Sequence, residues 1–244
     1  MKQATFKKLD RPPAYRMLAD ALSGKIVTGE LSAGEPLPTE ADLCEAFGVK
    51  RTTVREGIRA LEAAGLVTRE AGGKKLIVTR PSTEHVGNQM QRAMILQEVT
   101  NGELCDAMLA IEPALVHAAA NIISSDGLAE LDANIAATAN ALKAGHNAAD
   151  LDVAFHSIIA RASGNRALQM ARQPLMPLLE PSFHRVIEAL PNAGARMLKA
   201  HRQIVRALKR RDGNEAENWM ARHVRDFRRG FKTAGIGMEQ PIKL

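Results

Sequence analysis

The sequence predicts a mainly α protein: an N-terminal winged helix-turn-helix with a small β-hairpin wing, followed by a C-terminal all-α helical bundle. Three observations carry this prediction. Between residues 14 and 80 the order of elements is helix, helix, short turn, helix, hairpin. Within that order, "GVKRTTVREGIRAL" (48–61) sets Arg51, Arg55 and Arg59 at four-residue steps beside an apolar stripe of Val54, Ile58 and Leu61. Past "TRPSTEH" the strand signals stop, and helical periods follow one another from residue 83 to 232.

The first helix is expected over 14–28, where Tyr15, Leu18, Leu22 and Ile26 share one stripe. "GELSAGEPLP" ends it with two glycines and two prolines. Thr39 and Asp42 form the Thr-x-x-Asp start of a short helix reaching Phe47. Gly48 makes the turn, the arginine-bearing helix runs from Arg51 to Ala64, and Gly65 ends it. "LVTREAGGKKLIV" then places two apolar runs around Gly72 and Gly73, the pattern of a hairpin. A basic run alone is usually a solvated surface. In a unit of this order, however, one helix braces the body while the next offers its first residues to the major groove of DNA. The hairpin is the wing, with Lys74 and Lys75 near its tip placed to meet phosphates.

In the second half, helices are expected near 84–98, 103–121, 126–143, 148–162, 166–189, 194–211 and 214–231. Asn165 after Gly164, and Asn214 with Glu217 three residues on, mark two of the starts. "ARQPLMPLLEP" holds three prolines, so the fifth of these helices should kink or split. Alanine-rich stretches such as "ANIAATANALKAG" let helices approach closely.

Bulk properties set the outer limits. A chain of 244 residues can form one large domain or two small ones. Its 45% hydrophobic and 25% charged residues describe a globular protein. A net charge of +6 and a pI near 9.5 suit an anionic partner, although acidic residues are scattered throughout. Aromatic residues make up only 3%, which argues against a single-strand binder that stacks bases. Cys44 and Cys105 fit no zinc spacing and read as buried reduced thiols. The polar start and the lack of any apolar run near the roughly 18 residues of a membrane span point to a cytoplasmic protein with no membrane partner.

A second constellation lies in the helical half. "DLDVAFHSIIA" puts Asp152 and His156 four residues apart on one helix face. His201 and His223 sit on two later helices among apolar residues, facing a bundle interior. If the four converge, one carboxylate and three imidazoles suit a divalent ion: zinc, nickel or iron, with manganese tolerated through the carboxylate. An octahedral ion would keep two positions open for water or an organic acid. Four separate polar residues, each satisfied by a neighbour, fit the same spacing. His85, His117, His146 and His184 have no partner at ligand spacing and read as surface or packing residues.

"LPTEADLCEAFGVKRTTVREGIRALEAAGLV" closely resembles the operator-binding segment of the GntR family of bacterial regulators. The remainder, with "AFH" after Asp152, "SGN", "AHRQIVRAL" and "MARHV", is similar to the FadR-type ligand-binding domain of the FCD subgroup. The resemblance implies that Arg51, Thr52, Thr53 and Arg55 contact operator DNA, with the wing around Gly72 and Lys74 against the minor groove; Lys50, a departure from the family's residue, can meet a phosphate in the bound state. It assigns Asp152, His156, His201 and His223 as metal ligands, with a small carboxylate effector above the metal in a pocket that includes Met108 and Glu112. It further implies a homodimer reading a near-palindromic operator. The expected organisation is a DNA-binding domain over 1–80, a linker and linking helix over 81–98, an effector, metal and dimerisation domain over 99–235, and a tail over 236–244.

Departures from the family pattern bear on function. Ala41 stands where an arginine that touches DNA is common. Lys50 replaces a Ser or Thr, giving up an N-cap of about 0.5–2 kcal/mol. Gly57 replaces an alanine at a cost of roughly 1 kcal/mol unless a close helix crossing needs it. Met108 stands where the family has an arginine four residues before the glutamate matched by Glu112, so a less anionic effector, or another side chain reading it, is implied. The favoured function is a metabolite-responsive repressor of a catabolic operon, and not an enzyme. The alternatives are a regulator that senses the metal itself and a metalloenzyme tethered to DNA. No general base is apparent beside the ligands, since Glu180 and Glu188 lie on another helix.

Overall fold

The computed structural model describes residues 12–70, 73 and 75–242. The chain divides into two compact units, one ending at His85 and the other beginning at Val86.

The first unit contains α1 (Ala14–Thr28), α2 (Glu40–Phe47), α3 (Arg51–Ala63), β1 (Val67–Arg69) and β2 (Leu76–Val78). Thr39 and Asp42 form the expected capping box, each side chain accepting from the other's backbone N–H. Lys50 occupies the N-cap of α3 and provides no side-chain cap. Gly48 takes φ 61°, a left-handed turn that lets α3 leave α2 at a sharp angle. The apolar faces meet in one core: Leu18 and Leu22 from α1, Leu43 from α2, Val54, Ile58 and Leu61 from α3, and Val67 and Val78 from the hairpin. Burying a side chain of this size stabilises by about 1.5–3 kcal/mol. β1 and β2 pair antiparallel, Val67 opposite Val78. Residues 34–37 line the far edge of β2, where the Leu37 N–H donates to the Leu76 carbonyl. Gly57 is the close crossing that its departure from alanine suggested. A Cβ there would lie 2.6 Å from Leu18 Cδ2 and 3.1 Å from the Tyr15 carbonyl oxygen.

From α4 (Thr83–Leu96) onward every described element is helical: α5 (Asn101–Ile122), α6 (Ser125–Lys143), α7 (Ala149–Ala162), α8 (Arg166–Arg172), α9 (Met176–Ala189), α10 (Ala193–Lys209) and α11 (Gly213–Thr233). The helix expected over 166–189 is split at residues 173–175, where Pro174 removes a backbone donor. Most starts fall within one residue of expectation, but α5 begins two residues early and α11 takes a different cap. α5 begins at Asn101 because Thr100 and Glu103 form a capping box. α11 begins at Gly213 because the Asp212 side chain accepts from the Glu215 N–H, ahead of the Asn214 start read from sequence. α5, α7, α10 and α11 surround a core that includes Leu104, Val116, Phe155, Ile159, Ile204 and Met220. The stretch expected as a tail returns to the start of α5. Ile242 donates to the Val99 carbonyl, Gly102 donates to Met238, and Ile236 and Ile242 are buried. Cys105 is buried as expected, whereas Cys44 is only half-buried; both are free thiols. No helix is long and apolar enough to cross a membrane among the described residues.

Candidate metal centre and nucleic-acid face

On α3 the apolar stripe is spent on the core, which leaves Arg51, Thr52, Arg55 and Arg59 exposed, with Lys50 exposed beside them and Thr53 half-buried. The Nε of Arg55 donates to both carboxylate oxygens of Glu40, at 3.0 and 3.2 Å. This pair spans the turn between α2 and α3. It fixes the guanidinium while leaving its terminal nitrogens to donate elsewhere. Of the wing residues expected at DNA, Gly72 and Lys74 lie outside the described residues; Lys75 is exposed.

In the second unit three helices converge on one point. α7 supplies Asp152 and His156 from successive turns, α10 supplies His201 and α11 supplies His223. All four are buried, and each offers a ligand atom within 4.8 Å of the others. Asp152 Oδ1 lies 3.1 Å from His201 Nε2, 3.3 Å from His223 Nε2 and 3.9 Å from His156 Nε2, while His156 and His223 face each other Nε2 to Nε2 at 3.0 Å. Donors about 2.1 Å from a common ion, at angles of 90–109°, stand roughly 3.0–3.4 Å apart. Three of these separations are of that size. Asp152 Oδ1 and His201 Nε2 are also buried without a hydrogen-bond partner, close to each other yet not aligned to share a proton. A cation or a water at the point they face would satisfy buried polar atoms left in this condition.

Neighbouring side chains fix the rings. Phe155 stacks on His201, centroids 3.7 Å apart and planes 5° from parallel, and Phe227 meets His223 edge-on at 5.2 Å. Behind His156, Nδ1 lies 2.8 Å from Glu112 Oε2, off the line of a good hydrogen bond. Glu112 Oε1 in turn accepts from Arg172 Nε at 2.6 Å. Burial opposes the charge of Glu112, yet His156 and Arg172 outweigh it and hold its carboxyl down at about 2. Burial likewise opposes the charge of Asp152, and the His201 and His223 rings hold its carboxyl well below the usual carboxylate range. Burial pushes the His201 ring down to about 4, which keeps it neutral and ready to ligate. His156 is raised instead: burial favours its neutral form, but the Glu112 carboxylate prevails.

Glu112 therefore differs from the expectation that it lines the effector pocket. It is wholly buried behind His156 and anchors that ring. Met108 does line the space beside the ligands. There a cavity of only about 20 Å³ is walled by Cys105, Met108, Met176, Leu179, Phe183 and Phe227, and floored by Asp152, His156 and His223. Among the described residues, no lysine or arginine lines it. Burial pushes the Cys105 thiol up to about 11, so it meets the cavity as an apolar group. A larger cavity of about 470 Å³, between α9 and the returning C-terminal segment, touches none of the four ligand candidates.

Sequence reasoning missed Arg172, which sits 60 positions from its partner in a proline-broken stretch. Glu112 carried a detectable signal, being a carboxylate on the apolar stripe of Met108, Leu115 and Ala119. His184 and His117, read as surface or packing residues with no partner at ligand spacing, lie within hydrogen-bond distance of Asp150 at 2.8 Å and Glu217 at 2.9 Å. Glu180, read as lying on another helix without forced proximity to the ligands, joins Asp150 and His184 in a second cluster, half-buried apart from the exposed Asp150.

Comparison with known proteins gives a consistent assignment for both units. Residues 14–74 match the family described as "Bacterial regulatory proteins, gntR family", and residues 103–226 match the FCD domain. The Glc operon transcriptional activator of Escherichia coli K12 is 26% identical over 232 residues, covering 92% of this chain and 91% of its own. The galactonate operon transcriptional repressor of the same strain is 26% identical over 219 residues, covering 87% and 92%. Among solved structures, a Streptococcus agalactiae GntR superposes with a TM-score of 0.62 at 27% identity, over 88% of this chain and 99% of that one.

Proposed function

The chain belongs to the gntR family of bacterial regulatory proteins, with an FCD domain as its helical half, and from that premise we propose that it is a metabolite-responsive repressor of a catabolic operon. Both domains and the relatives are those of transcription regulators and not of enzymes. In this reading the protein works in the cytoplasm as a homodimer, its two α3 helices entering successive major grooves of a near-palindromic operator. Arg51 and Arg55 read base edges, Thr52 and Thr53 brace the backbone, and Lys50 and the wing residues Gly72 and Lys74 meet the minor groove and phosphates. The carrying observation is the exposed arginine edge of α3 standing on a buried apolar stripe.

Asp152, His156, His201 and His223 would hold a divalent ion, zinc by donor set, with nickel or manganese as alternatives. When bound, such an ion supplies positive charge and exchangeable positions for the carboxylate of a small organic acid. This chain's own residues do the rest. Phe155 and Glu112 hold the rings, and Met108, Met176 and Phe227 exclude water from the ligand face. Because those walls are apolar, the effector has a hydrophobic remainder, and the cavity must widen to admit it. The near-closed cavity favours one second reading, in which the metal itself is the signal.

The deciding experiment is footprinting on the promoters beside the gene with purified full-length protein. A symmetric protected site is expected, lost in Arg51→Ala while helical content stays unchanged. Absence of any protected sequence at low ionic strength would remove the proposal. Elemental analysis of the same protein, purified without chelator, should find stoichiometric divalent metal that is lost in His156→Ala. If metal alone changes operator affinity and no organic acid does, the second reading replaces the first.

A further inference from the structure

His223 forms a wall between two spaces. On one side is the small apolar cavity of the metal centre; on the other, α10 and α11 open a groove of about 230 Å³. Arg196 and Lys199 line it from α10, and Arg222 and Arg229 from α11, all four on exposed positions. Asp226 is the sole carboxylate of its lining, a surplus of three positive charges. Both oxygens of Asp226 are already engaged, Oδ2 by Arg196 Nε at 2.8 Å and Oδ1 by Arg229 Nη2 at 3.1 Å. Lys199 and Arg222 thus find no carboxylate within the groove. Arg222 lies instead over Trp219, its Cζ 5.2 Å from the ring centroid. That contact draws the guanidinium to the ring while its N–H groups can still donate to an anion.

Cations on a convex, solvated surface are normally diluted by neighbouring acids and by salt. A concave wall with surplus charge focuses its field inward and raises the local concentration of anions. The groove is smaller than the roughly 300–1,000 Å³ typical of drug-sized ligands, which suits a compact anion. Guanidinium and ammonium groups together match phosphate or clustered carboxylate oxygens. We propose that the α10–α11 groove binds a compact multivalent anion, a phosphorylated or polycarboxylated metabolite, at a site separate from the metal-centre cavity. Neither the metal nor the operator enters this inference, so it stands or fails independently of them.

Trp219 is the chain's single tryptophan, so intrinsic fluorescence reports on this groove. Full-length protein is titrated with inorganic phosphate and with tricarballylate, against sodium chloride at matched ionic strength. The expected result is a saturating change with at least one of the two anions and none with chloride. Lys199→Gln should weaken it about tenfold, while Lys199→Arg retains it. Metal-free protein, prepared with the neutral chelator 1,10-phenanthroline and dialysed, should keep it. A response that follows ionic strength alone, that is unchanged in Lys199→Gln, or that appears only when metal is restored would overturn the proposal. So would saturation by nonspecific duplex DNA with no response to either small anion.

Discussion

Glu112 carries a charge where no water reaches it, and two neighbours make that tolerable. Arg172 meets one oxygen and His156 faces the other, and Arg172 as a whole is itself only 5% exposed. Removing one partner of a buried pair strands the other, at a cost of about 3–5 kcal/mol, whereas replacing both with apolar groups is often neutral. Arg172→Met should therefore lower the unfolding free energy by about 3–5 kcal/mol, and Glu112→Leu combined with Arg172→Met should recover most of it. Denaturant melts of the three proteins measure this; a single-variant loss under about 1 kcal/mol would mean the pair is incidental. Glu112→Gln tests a different property. It keeps the shape but loses the charge behind His156, and metal affinity should fall about 10–100-fold against a chelating dye. An unchanged affinity would show that Glu112 packs beside the ligand without tuning it.

At the scale of single elements, α3 balances two demands: a face for the core and an exposed edge that we propose meets DNA. Its interior glycine serves the first. Gly to Ala in an exposed helix gains about 1 kcal/mol, but at Gly57 the new methyl would meet the buried Leu18 side chain and the Tyr15 backbone. Because a backbone carbonyl cannot rotate away, overpacking of about 1–3 kcal/mol should win, and Gly57→Ala should destabilise the first unit. Amide exchange in α1 and α3 reports on that unit directly; slower exchange in the variant would reverse the sign. Much of this was legible beforehand, since Leu18, Val54, Ile58 and Leu61 recur at helical steps and Thr39 with Asp42 announces a start. The starts of α5 and α11 were less so. Thr100 stands four residues ahead of Leu104, the first buried apolar position of α5, and Asp212 competes with an equally good Asn214 nearby. Asp152 and His156 declared themselves by spacing within one helix, and His201 and His223 only by their apolar flanks. Contacts across helices left no local trace at all: Arg172 with Glu112, or Arg196 with Asp226 at the groove.

Regulation by the whole molecule requires that the two proposed sites share one equilibrium. An effector changes operator affinity only if it binds two conformations of the proposed dimer unequally; equal binding shifts nothing, however tight it is. Linkage then imposes a quantitative demand. If saturating organic acid weakens operator binding by some factor, saturating operator must weaken binding of that acid by the same factor, commonly about 5–150-fold. Calorimetry of the acid with and without operator duplex, beside operator titrations with and without the acid, yields both numbers. The expected outcome is agreement between them, and the loss of both effects in His223→Ala, whose ring sits at the floor of the cavity. A metalloenzyme merely tethered to DNA would bind its substrate equally well in either state. For this chain, an acid that binds tightly with no operator dependence would therefore place its chemistry outside transcriptional control.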